Sequence, residues 1–162
     1  MSKERMAVFG GSFDPLTYGH LDLIQRSTKL FDQVVVLIAV NTSKKSLFTL
    51  DERKQLIETA VKDLPNVRIE SMEDGLIAHY YKDLGAVSLI RGVRSAQDFD
   101  YEASLATLNK SQYEELETIF LLANEKYRHL SSSLIKEIAH FEGDISKMVP
   151  PNVAQAMKDK LS

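Results

Sequence analysis

The chain has 162 residues, 44% of them hydrophobic and 27% charged, with a formal net charge of −3 and no cysteine. That composition fits an ordinary globular protein with one sizeable core, so a single domain over residues 1–162 is expected. It excludes a disulfide scaffold, thiolate metal ligation and a cysteine nucleophile, gives no electrostatic footprint for nucleic acid, and contains no apolar run near the roughly 20 residues of a membrane span.

Met1 to Arg5 holds no apolar signal region, so a cytoplasmic protein with no membrane partner is expected. A first strand is expected at Met6–Phe9, and the string Gly10 to His20, GGSFDPLTYGH, reads as the turn from that strand into a first helix. Two adjacent glycines permit positive φ and a close approach of backbone to a ligand, and Asp14-Pro15 fixes the turn. Ser12 offers a hydroxyl. Gly19-His20 opens the helix and sets an imidazole beside its free N–H groups, where the helix dipole favours an anion such as phosphate.

Further strands are expected at Val34–Val40, Val67–Ile69, Val87–Ile90 and Ile119–Leu122. Leu23, Ile24, Ser27, Leu30 and Phe31 share one face of the first helix. Leu56, Ile57, Ala60 and Val61 mark a second helix, led by the capping box Thr49-Leu50-Asp51-Glu52. Leu76, Ile77, Tyr80, Tyr81 and Leu84 mark a third, and Tyr101, Leu105 and Leu108 a fourth. Continuous apolar strands separated by amphipathic helices predict a doubly wound α/β domain with five parallel strands. Beyond the fifth strand the pattern turns helical. Ser131-Ser132-Ser133 reads as a helix N-terminus before Leu134, Ile135, Ile138 and Ala139, and a last helix begins near Pro150-Pro151.

In such a sheet ligands gather beyond the carboxyl ends of the strands. Asn41 to Lys45 follows the second strand, with Lys44 a phosphate ligand candidate and Lys45 a surface residue. Ile90-Arg91-Gly92-Val93-Arg94 follows the fourth. There two guanidinium groups suited to phosphate oxygens flank a glycine, and Arg91, at the end of a buried strand, calls for an anionic ligand or an acidic neighbour. Asp98 and Asp100 suit a helix dipole and need no other role. His79 and His140 read as surface or satisfied residues. No Gly-x-Ser-x-Gly, no metal-ligand spacing and no Walker loop is present, so a serine hydrolase, a protein-held metal and a P-loop ATPase are not supported.

The string Gly11 to His20 resembles the G-[TS]-F-D-P-x-T-x-G-H signature of the bacterial phosphopantetheine adenylyltransferases, within the wider nucleotidyltransferase superfamily. Thr17 stands where the superfamily's H-x-G-H form has its first histidine. Arg91 to Arg94 resembles the family's I-R-G-[LVI]-R, and Tyr127 to Ser133 its W/Y-x-x-I-S-S-S, with Leu130 for isoleucine. The resemblance implies a Rossmann-like strand order and transfer of an adenylyl group from ATP to 4′-phosphopantetheine. It implies ATP contacts from Ser12, Phe13, His20, Gly92, Val93, Arg94, Glu102 (near the ribose), Tyr127, Arg128, His129, Leu130, Ser131, Ser132 and Ser133. Phosphopantetheine contacts would come from Ser12, Lys44, Ile77 and Arg91, and His20 would stabilise the transition state. It further implies Mg2+ accompanying ATP, a homohexamer, and coenzyme A as feedback inhibitor. Ser133 and Lys136 occupy the superfamily's Thr and Arg positions in I-S-S-T-x-I-R, and no role is carried over to Lys136. Two other readings are disfavoured: a nicotinamide-mononucleotide adenylyltransferase or cytidylyltransferase by the Thr17 form and the Arg91–Arg94 string, and a catalytically silent nucleotide sensor by His20, Lys44 and Arg91 together.

Overall fold

A computed structural model describes residues 3–162. Its sheet consists of β1 (Met6–Gly11), β2 (Gln33–Val40), β3 (Val67–Glu73), β4 (Ser88–Val93) and β5 (Thr118–Leu122), all parallel, in the order β3-β2-β1-β4-β5. Helices α1 (Tyr18–Ser27), α2 (Leu50–Ala60), α3 (Ile77–Leu84) and α4 (Ala96–Gln112) alternate with the strands, and α5 (Ser132–His140) and α6 (Pro151–Leu161) follow them. This is the Rossmann-like α/β architecture that the sequence predicts.

The central strands are apolar on both sides because both faces are covered. Ala7, Phe9, Val34, Val36, Ile38 and Ile90 join one core with Ile24, Ile57, Ile135 and Met157. Val8, Leu37 and Leu89 point the other way and pack with Ala78 and Tyr81 of α3. The two-residue period of a strand separates these sets.

Several boundaries differ from the sequence reading. Gly10 and Gly11 are the last residues of β1, paired with Leu37 and Ile38, and neither has positive φ. The left-handed step is taken by Phe13, at φ 48°. Gly10 is needed for another reason: a Cβ there would lie 2.7 Å from Cδ1 of Ile77. β4 runs past its expected end and includes Arg91 and Gly92, opposite Phe120 and Leu121. α1 stops at Ser27, so Leu30 lies in the following turn and is 57% exposed. α4 begins at Ala96, and its expected core face is turned outward, with Tyr101 65% and Leu108 63% exposed. The capping box at Thr49 and Glu52 is present as expected, with both reciprocal hydrogen bonds.

The loop leaving β1 is held by a buried carboxylate. Asp14 accepts from the backbone N–H groups of Leu47 (2.8 Å) and Phe48 (2.9 Å), and Arg53 and Lys136 stand 4.0 and 3.5 Å from its oxygens. Arg53, itself buried, donates to the carbonyls of Phe48 and Ser12. Four segments therefore meet on one side chain. Lys136, to which the sequence assigned no role, is part of this network.

Removing that carboxylate leaves two buried N–H groups and a buried guanidinium without their partner. Asp14→Ala should destabilise the protein by about 3 to 5 kcal/mol in urea unfolding, the scale of breaking a buried ion pair. A loss below about 1 kcal/mol, the scale of an exposed pair, would show that other contacts hold the loop.

Candidate active site

The strand order reverses between β1 and β4, so their carboxyl ends open a crevice at the topological switch point. A cleft of about 330 Å³ lies there. One wall is the end of β1 and the start of α1, with Gly10, Gly11, Thr17, Gly19 and His20. The second is Arg91, Gly92 and Arg94 with Asp98 and Glu102 of α4. The third is Tyr127 and Leu130 to Ser133. Past Arg94 the cleft adjoins a wider depression of about 790 Å³, where Gln97, Tyr101, Arg128 and His129 are exposed.

His20 is held by the residue that starts its own helix. The Thr17 hydroxyl accepts from the His20 backbone N–H (3.2 Å), and the Thr17 backbone N–H donates to Nδ1 of the ring (3.1 Å). An amide N–H can only donate, so Nδ1 is the acceptor and the single ring proton of neutral imidazole sits on Nε2. Phe13 meets the ring edge-on, with centroids 5.0 Å apart. Burial, and then the charges of Arg94 and Arg91, lower the His20 pKa from 6.5 to about 4. The imidazole is therefore a neutral donor at physiological pH.

Arg91 has the acidic neighbour that its position demands. Its Nε and Nη2 donate to the two carboxylate oxygens of Glu102 at 2.7 and 2.8 Å, and Nη1 donates to the carbonyl of Gly10 at 3.1 Å. Burial opposes the charge on Arg91, but the hydrogen bonds and charge of Glu102 outweigh it and raise the pKa. A guanidinium has five N–H donors, so two remain for a ligand. Glu102, expected near a ribose, is buried and spends both oxygens on Arg91.

Arg94 is tied on both sides. Nη1 donates to the carbonyl of Leu130 (2.7 Å), and Asp98 accepts from the Arg94 backbone N–H (3.0 Å). Asp98 thus does more than complement a helix dipole. Arg128 returns the link by donating from Nε to the Arg94 carbonyl, which joins the loops after β4 and β5. Ser131 is the N-cap of α5 and accepts from the Leu134 N–H, while the Ser132 hydroxyl donates to the carbonyl of Pro15. Leu130 to Ser133 line the cleft, so the N-terminus of α5 lies at its wall, an arrangement that favours a phosphate.

The cleft unites His20, Gly92, Arg94, Glu102, Tyr127, Leu130, Ser131, Ser132 and Ser133 of the expected nucleotide set, together with Arg91. Phe13 and Val93 are outside it, and both side chains are buried, as is that of Leu130. Those three can offer a nucleotide little beyond main chain. Ser12, Lys44 and Ile77 are not brought into the cleft. Ser12 and Lys44 are exposed on neighbouring loops, and Ile77 packs over Gly10. Among the described residues no group of three or more His, Asp or Glu side chains could hold a metal, and no helix is long and apolar enough to cross a membrane. Thr17 and Asp98 were missed as parts of the site. The T-x-x-H spacing at Thr17 and His20 was the available signal, being a capping box with histidine at the third position.

The cytidylyltransferase-like family profile matches residues 8–138. The chain is 47% identical over 156 residues to the phosphopantetheine adenylyltransferase of Thermotoga neapolitana, covering 96% of each. Two solved structures share its fold. A Vibrio parahaemolyticus protein provisionally named a nicotinate-nucleotide adenylyltransferase has a TM-score of 0.73 at 19% identity, covering 98% of this chain and 95% of its own. A Francisella tularensis bifunctional NMN adenylyltransferase/ADP-ribose pyrophosphatase has a TM-score of 0.66 at 18% identity, covering 98% of this chain and 52% of its own.

The low His20 pKa fixes a sign for pH dependence. The unfolded chain takes up a proton on this ring below about 6.5 and the folded one only below about 4, so stability rises with pH between those values and is flat above. NMR titration of the imidazole should give a midpoint near 4, and His20→Gln should remove that part of the stability slope. A midpoint at 6 or above would contradict a desolvated, neutral ring.

Proposed function

This chain belongs to the phosphopantetheine adenylyltransferases of the cytidylyltransferase-like family, and from that premise we propose that it joins ATP and 4′-phosphopantetheine by direct in-line attack. An oxygen of the 4′-phosphate forms a bond to the α-phosphorus of ATP as the bond to the bridging oxygen of the β-phosphate breaks. The products are dephospho-coenzyme A and pyrophosphate. The observation that carries this reading is the pairing of a neutral His20 donor with two arginines at the switch-point crevice. Transfer at phosphorus needs positioning and charge stabilisation more than protein chemistry, and this cleft is built for both.

In this reading Nε2 of His20 donates to an α-phosphate oxygen as charge builds there. The N-terminus of α5, with Ser131 to Ser133, receives the outer phosphates. Gly92, Arg94 and Tyr127 hold the nucleotide, with Arg128 and His129 at its outer edge. Arg91 turns its two remaining N–H groups to the acceptor phosphate, joined by Ser12 and Lys44 from their exposed loops, and Ile77 lies along the pantetheine arm. Absence of a covalent intermediate is supported by the serine hydroxyls at hand: those of Ser131 and Ser132 are committed to hydrogen bonds with main chain, and neither has a base that would activate it.

Magnesium enters this reading as the counter-ion of ATP. The two carboxylates of the cleft, Asp98 and Glu102, are each paired with an arginine, and among the described residues no group of three or more His, Asp or Glu could hold a metal, which supports an ion that arrives with ATP. A homohexamer and inhibition by coenzyme A belong to the same reading, and the exposed Tyr101, Leu108 and Leu122 support an assembly through α4 and β5.

Pyrophosphate release across a panel of acceptors tests the proposal. We expect turnover with 4′-phosphopantetheine, at most weak release with nicotinamide mononucleotide or glycerol 3-phosphate, and none with unphosphorylated pantetheine. His20→Ala should lower kcat with phosphopantetheine by roughly two to three orders of magnitude, the cost of one preorganised donor, with ATP affinity little changed. Efficient use of nicotinamide mononucleotide without phosphopantetheine would overturn the assignment.

A further inference from the structure

Thr17 lines the cleft beside His20, and the reaction above gives it no contact with substrate. We propose that Thr17 is a positioning residue, which fixes the ring orientation and tautomer of His20 so that Nε2–H is always presented to an oxygen of the reacting phosphate. The inference rests on the functional reading above for its consequence in turnover, and on geometry alone for its effect on the ring.

Thr17 is buried, and two of its atoms make three contacts with His20. The hydroxyl oxygen takes the His20 backbone N–H at 3.2 Å, and the same oxygen lies 3.3 Å from Nδ1. The Thr17 backbone N–H reaches Nδ1 at 3.1 Å. Because the hydroxyl accepts with a lone pair, its own proton is available to Nδ1, so the ring nitrogen is met by two donors. Protonating Nδ1 would break the hydrogen bond from the Thr17 backbone N–H and turn the hydroxyl from donor to acceptor, and rotating the ring away would strand that amide. Donors on Nδ1 also draw electron density from the ring and make Nε2–H a stronger donor. The surroundings preserve this arrangement. Gly19 leaves room for the hydroxyl, since a Cβ there would lie 3.3 Å from it. Phe13 closes one side of the ring.

The charged and titratable groups that share the cleft with His20 are Arg91 and Arg94 on the β4 side, Asp98 and Glu102 on α4, and Tyr127. Both acids are paired with the arginines, so no free carboxylate stands ready to stabilise an imidazolium. The Thr17 contacts and the arginines therefore act in the same direction, toward the neutral ring.

The test uses the full chain with Thr17→Val, which deletes the hydroxyl and keeps volume and backbone N–H, and Thr17→Ser, which restores it. Loss of one hydrogen bond to the ring should lower kcat about tenfold. KM for ATP and for phosphopantetheine should stay within about twofold. In 15N NMR of the imidazole the His20 midpoint should rise, because Nδ1 loses a donor while burial and the arginines still hold it below 6.5, and Thr17→Ser should return both quantities to near the wild-type values. If Thr17→Val does not fold, the comparison of wild type with Thr17→Ser and Thr17→Ala by the same NMR titration decides the question. A raised KM for ATP with intact kcat and an unmoved titration would make Thr17 a direct ligand and overturn the proposal. Lost stability with an unmoved midpoint would do the same, leaving a merely structural cap. If no acceptor is adenylylated by the wild type, the functional reading fails, yet the NMR titration still judges Thr17.

Discussion

A single buried carboxylate sets the geometry on which the cleft depends. Asp14 sits directly after Phe13, whose backbone is in the left-handed region, and it binds two amides of the loop before α2. The backbone groups of the chain leaving β1 pair with no strand, so its direction is set by this anchor together with the hydrogen bonds to the Ser12 and Pro15 carbonyls. With it, Thr17 arrives where it can cap α1, and the cap in turn holds His20. Arg53 extends the constraint to the carbonyl of Ser12, and Lys136 connects it to α5. The first and last thirds of the chain are thereby locked together around one charge. A buried charge is costly unless compensated, and here the compensation comes from segments that must all be in place. The network therefore specifies the loop as well as stabilising it.

The electrostatics of the cleft follow a similar logic. Two arginines in a partly buried site would be expensive alone, and each has an acid from α4, bidentate for Arg91 and looser for Arg94. Their remaining donors still face the cavity. The result is a site that is donor-rich without carrying a large uncompensated charge. In such surroundings an imidazole stays neutral, and a neutral imidazole with its tautomer fixed is a donor whose strength does not vary across ordinary pH. Placing the first turn of α5 opposite adds backbone N–H groups that need no counter-charge of their own.

Much of this was legible in the sequence, for reasons that the structure makes plain. β-branched runs mark the strands because both sheet faces are covered, and the caps at Thr49 and Ser131 are local patterns that tertiary contacts reinforce. What was not legible depends on distance in the chain. Arg91 reads as following a strand because an arginine within a buried strand is disfavoured, yet Glu102, eleven positions later on α4, makes it tolerable. Gly10 and Gly92 look like ligand-approach glycines. Both line the cleft, and the side chains of Ile77 and Leu23 also occupy the space a Cβ would need. The Tyr101 and Leu108 stripe shows which residues share a helix face, but periodicity does not say whether that face is covered. At the site, the motif residues gather in one cleft, whereas Lys44 and Ser12 lie on loops whose placement toward a ligand no local pattern fixes.

The central claim is that this cleft works by positioning and charge stabilisation without covalent catalysis, so that the adenylyl group passes once, directly, from ATP to the acceptor. The stereochemistry at phosphorus tests this most directly. With a single diastereomer of adenosine 5′-O-(1-thiotriphosphate) as donor and phosphopantetheine as acceptor, one in-line displacement must invert the configuration at the α-phosphorus in the product. Retention would require two displacements and a covalent adenylyl-enzyme, and would contradict the account.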